Sequence, residues 1–204
     1  MPRKSYHHGD LKNALIKAGV EILSKEGIAG LSLRKVARKV GVSHTAPYAH
    51  FADKQALIAA ISTEGYRMIS ERIEAAIAEY EGDPSRQLVE AGWAYVDFAL
   101  TDSAHFKITL SGVVEKEKEH PAFVEMSQKS FGVVVRIVEA CQVAGVLEAG
   151  PSDLMAVSVW SLVHGFASLV LENQVSHSLL DRTSVREMLV FSLNQVTRTE
   201  VTHF

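Results

Sequence analysis

Apolar residues recur along this chain at intervals of three and four far more often than in strict alternation, a spacing that predicts helices almost throughout. Leu11, Ala14, Leu15, Ala18, Ile22 and Leu23 form one apolar stripe, with Asp10 placed to cap it and Gly27 to stop it. A second, shorter helix is framed more tightly. Ser32 is a natural N-cap, Leu31 and Val36 bracket it as a hydrophobic staple, and Leu33, Val36, Ala37 and Val40 supply a buried side. Gly41 closes it, because glycine tolerates the left-handed conformation at a helix end. After the short stretch "GVSHTAPYAHFADK" at 41–54, Asp53 caps a long helix carrying Leu57, Ile58, Ile61, Ile69, Ile73 and Ile77 and ending around "EGDPS". Further helices are expected near 84–101, 104–113, 121–144, 152–172 and 184–198. Their edges fall at Pro84, Pro121 and the "AGP" turn, and a capping box of Ser184 and Glu187 opens the last. The charge run "EKEKEH" at 115–120 is expected to be an exposed loop. The fold class is therefore all-α, without an internal repeat.

Two short helices separated by "GVS" and preceded by another helix make a helix-turn-helix arrangement, whose second helix would enter the major groove of DNA. Ser43 can cap that helix. Val42 and Phe51 then face inward, and His44, Thr45, Tyr48 and His50 face outward with hydroxyl, imidazole and phenol groups suited to base edges or phosphate oxygens. Pro47 has no N–H to donate and disfavours the helical conformation of Ala46, so the segment should be distorted at its start or effectively capped by Thr45. Arg34 and Lys35 open helix two and Lys54 opens the long helix, positions at which the helix dipole disfavours a cation and a phosphate would reverse the cost.

The net charge of −3 over 204 residues hides a division near residue 54. Residues 1–54 hold 10 Lys or Arg against 4 acids, a charge of +6, and the remainder carries −9. A basic module joined to a larger acidic one points to a polyanionic partner for the first and to self-association or small-molecule binding for the second. The 47% apolar content supports a buried core in both. Cys141, the one cysteine, lies in an apolar run and reads as a buried, inert thiol. The start "MPRK" leads into an amphipathic stretch rather than an apolar one, so no signal peptide is expected and the default location is the cytoplasm. Leu154–Leu171 carries no formal charge over 18 residues, at the lower limit for a membrane span, but Ser158, Ser161, His164, Gly165 and Ser168 interrupt it and favour a packed helix. Of the nine histidines, His7 and His8 belong to an expected flexible arm, and His44 and His50 have no companion ligands in sequence, so neither metal nor cofactor is expected. With no phosphate loop and no nucleophile elbow, the chain is not expected to be an enzyme. The alternative from another class is a helical enzyme or small-molecule-binding protein using an aromatic pocket around His164.

The stretch "ALIKAGVEILSKEGIAGLSLRKVARKVGVSHTAPYAHFADKQALI" resembles the N-terminal domain of TetR/AcrR-type transcriptional regulators, over about residues 10–58. The alanine-rich first helix, the "GVS" turn, "Y-x-HF" and a lysine three residues past the phenylalanine carry the resemblance. It implies a three-helix DNA-binding domain at 1–54 and a helical ligand-binding and dimerisation domain at 55–204. The implied partners are a double-stranded DNA operator, a small-molecule effector, and a second copy of the chain packed through the last two helices. Ser43, His44, Thr45, Tyr48, His50 and Lys54 are the implied DNA contacts, mostly through phosphates, joined from helix two by Ser32, Arg34 and Lys35; Arg3 and Lys4 would add a flexible arm. The chain departs from many members at Thr45, where they have glycine, and at Pro47, where they have leucine. "WSLVHGFASL" at 160–169 resembles a Trp-His-Gly pattern of one subset, with "HFKITLSG" at 105–112 resembling the helix before it. The candidates for an implied ligand cavity are Trp93, Phe98, Phe106, Phe123, Phe131, Trp160, His164 and Phe166.

Overall fold

In a computed structural model, which describes residues 8–201, the helical pattern becomes nine α-helices and two 3-10 turns, with no strand among those residues. They run in the order α1 (His8–Gly30), α2 (Leu33–Val40), a 3-10 turn (Ala46–Ala49), α3 (Lys54–Ala78), α4 (Pro84–Thr101), α5 (Ser103–Leu110), a second 3-10 turn (Glu117–Glu119), α6 (Pro121–Val143), α7 (Ser152–Leu171), α8 (His177–Leu180) and α9 (Val185–Asn194). Arg3, Lys4 and His7 lie outside the described residues.

Capping chemistry sets several of the boundaries. Ser32 is extended, and its hydroxyl accepts the Lys35 backbone N–H at 3.2 Å. Gly41, with φ 80°, turns its own N–H onto the carbonyls of Ala37 and Arg38 and ends α2. Asp53 Oδ1 accepts from the Ala56 N–H at 2.8 Å at the head of α3, and Asp83 does the same for Arg86 at the head of α4. The Ser184–Glu187 capping box forms at α9.

Other expectations change. α1 begins at His8, which puts Asp10 inside the helix rather than at its cap. Gly27 breaks its regularity at φ 66°, yet one further turn continues to Gly30. α5 stops at Leu110, and α9 stops at Asn194, whose side chain takes both backbone groups of the buried Val201. The loop at 115–120 is exposed and contains the second 3-10 turn. α8, four residues with no apolar stripe, gave no periodic signal.

The chain forms two compact units, which do not divide at residue 54. The first takes residues up to 66 together with 104–127. The reason is one shared core, in which Leu15, Val36 and Phe51 pack with Leu57, Ile58 and Ile61 of α3 and with Ile108, Val114 and Phe123 further along the chain. The second unit takes 67–103 and 128–204, and in it α4 packs against α7 and α9. Val89, Val96, Phe98, Val133, Leu147, Leu189 and Leu193 are fully or almost fully buried there.

Candidate DNA-reading surface and apolar cavity

In the first unit, the segment between α2 and α3 is a single 3-10 turn. Its backbone bonds run from Ala46 N–H to the Ser43 carbonyl at 3.0 Å and from Tyr48 N–H to the Thr45 carbonyl at 3.2 Å. Thr45 occupies the cap position without a side-chain cap bond; its hydroxyl lies instead 3.1 Å from that of Ser43. The proline explains the tight winding, since its missing N–H is least costly in the first turn of a helix. Its ring is buried. Phe51, four residues further on, is buried too, and with those two side chains turned inward Ser43, His44, Thr45 and Tyr48 are left outside. Tyr48 is 53% exposed, a large aromatic displayed to solvent next to two hydroxyls and an imidazole. His50 is half-buried, its ring 6.3 Å from that of Phe51.

The cations around this surface are not all equally available. Arg34 is exposed on the first turn of α2. Lys35, in the first turn of α2 where the dipole disfavours a cation, takes its counter-charge from Glu26 of α1, and Lys39, in the last turn, pairs with Glu21. That pairing pulls the Glu21 carboxyl below its ordinary range, chiefly through its hydrogen bond and attraction to Lys39. Both pairs are exposed, and such pairs contribute little to stability. Lys54 donates to the Ile28 carbonyl at 2.7 Å, tying the head of α3 to the end of α1. The sequence carried no sign of this bond, because the two residues are 26 positions apart and the carbonyl belongs to the backbone.

In the second unit an apolar cavity of about 40 Å³ lies among four helices. Ile73 comes from α3; Leu88, Ala91, Gly92 and Tyr95 from α4; Val134, Ile137 and Val138 from α6; and Val159, Trp160 and Val163 from α7. Trp160 is the one of the eight aromatic and histidine candidates that lines it. His164 stands one helical turn further on, its Nδ1 2.8 Å from the Tyr95 hydroxyl, which also accepts from Trp160 Nε1 at 3.2 Å. Burial pushes the His164 pKa below its ordinary value. Phe131 meets Trp160 edge-on at 6.2 Å.

The remaining candidates lie elsewhere. Phe106 is buried in the first unit, and Phe123 belongs to that unit's core. Phe98 is fully buried beneath the Arg72 guanidinium, and Trp93 lies under that of Arg186. Phe166 lines an open groove with Leu179, Met188 and Phe191. Tyr95 was the residue missed. Its spacing from Leu88 and Ala91 puts it on the buried stripe of α4, where a phenol needs a hydrogen-bond partner, and that requirement is the signal that could have singled it out.

Cys141 is fully buried, with its thiol toward the Pro84 carbonyl, and burial, helped by Asp83, pushes its pKa up to about 12. Among the described residues no group of three or more His, Cys, Asp or Glu side chains is arranged to hold a metal ion. One helix among them, Ser152–Leu171, is long and apolar enough by composition to cross a membrane.

The same two regions are matched by known families. Residues 15–61 match the family of bacterial regulatory proteins named for TetR, and residues 88–193 match the tetracycline-repressor-like C-terminal domain. The HTH-type transcriptional regulator AcrR of Shigella flexneri is 24% identical over 181 residues, covering 85% of this chain and 82% of that protein. YobS of Bacillus subtilis (strain 168), also described as an HTH-type transcriptional regulator, is 27% identical over 111 residues. That match covers 54% of this chain and 57% of YobS, so the similarity spans little more than half of either. Among solved structures, a protein of unknown function from Rhodococcus sp. RHA1 superimposes with a TM-score of 0.76 at 30% identity, over 95% of this chain and 96% of that one.

Proposed function

The chain belongs to the TetR family of bacterial transcriptional regulators, and from that membership we propose that it is a cytoplasmic, ligand-responsive repressor that binds a palindromic operator as a homodimer. The observation that carries the reading is the outward display of Ser43, His44, Thr45 and Tyr48 on a basic three-helix unit, with Arg34 exposed on the preceding helix. His44, Thr45 and Tyr48 face base edges. Ser32, Ser43, His50, Lys35 and Lys54 face phosphates, with Lys54 holding the Ile28 carbonyl while the other protons of its ammonium remain for the backbone of the duplex. In functional terms residues 1–54 contact DNA and 55–204 hold the effector and the partner subunit.

The partner covers the outer side of α7 and α9. Leu154 and Leu169 on α7 and Phe191 on α9 are 64%, 52% and 68% exposed in the single chain, an apolar display that a soluble protein covers with another surface. Two-fold pairing sets two reading segments about 34–36 Å apart, or at a multiple of that distance, along the DNA. The effector occupies the cavity of the second unit. α3 carries the message, because it begins beside the reading segment with Lys54 and contributes Ile73 to the cavity wall. A ligand shifts operator affinity only to the extent that it binds the two positions of this helix unequally. The comparisons lend the alternative of an enzyme centred on His164 no support.

Selection of bound sequences from random duplex DNA tests the reading. An inverted repeat with half-sites at the stated spacing supports it; recovery of no sequence above background contradicts it.

A further inference from the structure

The walls of the cavity offer an occupant almost nothing but hydrocarbon. Eight of its lining side chains are aliphatic, one position is glycine, and the two polar aromatics, Tyr95 and Trp160, spend their polar atoms on each other and on His164. Burial lowers the pKa of His164 and so favours its neutral ring. The arginines on the surrounding helices are committed as well. Arg72 beside Ile73 pairs with Asp97 and Asp102, Arg86 on α4 with Glu90, and Arg136 beside Ile137 with Glu74. A charged ligand of either sign would have to break one of these pairs or lie unpaired against apolar walls, and an unpaired buried charge is strongly unfavourable. Size narrows the chemistry further. About 40 Å³ is more than a water molecule requires and well short of the roughly 150 Å³ void that accepts benzene, so a thin chain enters with less displacement of side chains than a ring.

We propose that the effector is an uncharged molecule that places an aliphatic chain between α4, α6 and α7. This rests on the reading of the chain as effector-responsive through that cavity. Trp160 is the side chain that yields: it is half-buried, lines the cavity, and is held by the Tyr95 bond, an edge contact to Phe131 and a tilted ring contact to His164.

The test uses the full chain and three six-carbon probes: hexan-1-ol, hexanoate and hexylammonium, titrated at neutral pH with the shift in thermal midpoint and the tryptophan emission of a Trp93→Phe variant as readouts. Hexan-1-ol is expected to act saturably, with the two ions roughly tenfold weaker or worse. Ala91→Leu, which fills the cavity, should abolish the hexanol response. Gly92→Ala should weaken it in a protein that still folds, since the new methyl meets Leu189, Leu193 and Val163 at ordinary distances of 3.6–3.8 Å. Equal or tighter binding of either ion, sensitive to these substitutions, overturns the uncharged class and leaves the cavity as the effector site. A hexanol response indifferent to both substitutions, or no saturable response at all, overturns the cavity itself and leaves the DNA-binding assignment untouched.

Discussion

Lys54 and His164 show how a side chain's neighbours decide what it can do. The ammonium of Lys54 holds the Ile28 carbonyl, and its place at the head of α3 also suits a phosphate. Replacing it by alanine should therefore have two separable effects: binding to all duplexes weakens alike, with the salt slope reduced by about 1, and unfolding becomes easier by about 1 kcal/mol from the lost hydrogen bond. Affinity titrations at several salt concentrations, alongside denaturant melts, resolve the two. An unchanged slope with lowered stability would leave Lys54 as a clamp and remove it from the DNA contacts. For His164, desolvation depresses the folded pKa below the ordinary value near 6.5. As pH falls the unfolded chain takes up this proton first, so the stability contributed by the neutral ring is complete above the unfolded pKa and is lost as pH falls through the folded one. Between about pH 7.5 and about pH 5.5 the wild-type protein should lose more stability than His164→Gln. Equal losses would show that the ring titrates normally.

Among the elements, α2 was legible from end to end, because Ser32, Leu31, Val36 and Gly41 are local devices that act within a few residues of one another. The turn carrying Tyr48 was legible in kind: Pro47 announced a departure from regular helix, and the departure is a 3-10 turn begun after Thr45. The ends of α1 and α9 were not legible, since neither the turn that continues past Gly27 nor the return of Val201 to the Asn194 side chain is encoded in apolar periodicity. The cavity was less legible still. Aromatic residues suggested eight candidates, but the walls are mainly valine, isoleucine and leucine. Aliphatic residues on adjoining helices give the same sequence pattern whether they meet or leave a gap. At the element scale the clearest prediction concerns Gly41. Its left-handed backbone costs a residue with a side chain roughly 1–2 kcal/mol, so Gly41→Ala should lower stability by about that amount in a denaturant titration. No loss would mean that α2 closes in another way.

For the whole molecule, the +6 charge of residues 1–54 and the −9 of the remainder describe a protein with two tasks. The proposed self-association would cover the side of α7 that made its sequence resemble a membrane span, of whose most apolar window 22% is buried in the single chain. A Phe191→Glu substitution, placing a charge on that apolar display, should shift sedimentation from dimer to monomer and weaken operator binding with it; a variant that stays dimeric would move the interface elsewhere. The most direct test of the account is the affinity, at one fixed salt concentration, of the full chain for a duplex selected from random DNA, with wild-type protein set beside Tyr48→Ala and His44→Ala. Both variants should keep the wild-type melting curve while binding the selected duplex roughly tenfold more weakly or worse. Undiminished affinity in both would contradict the account.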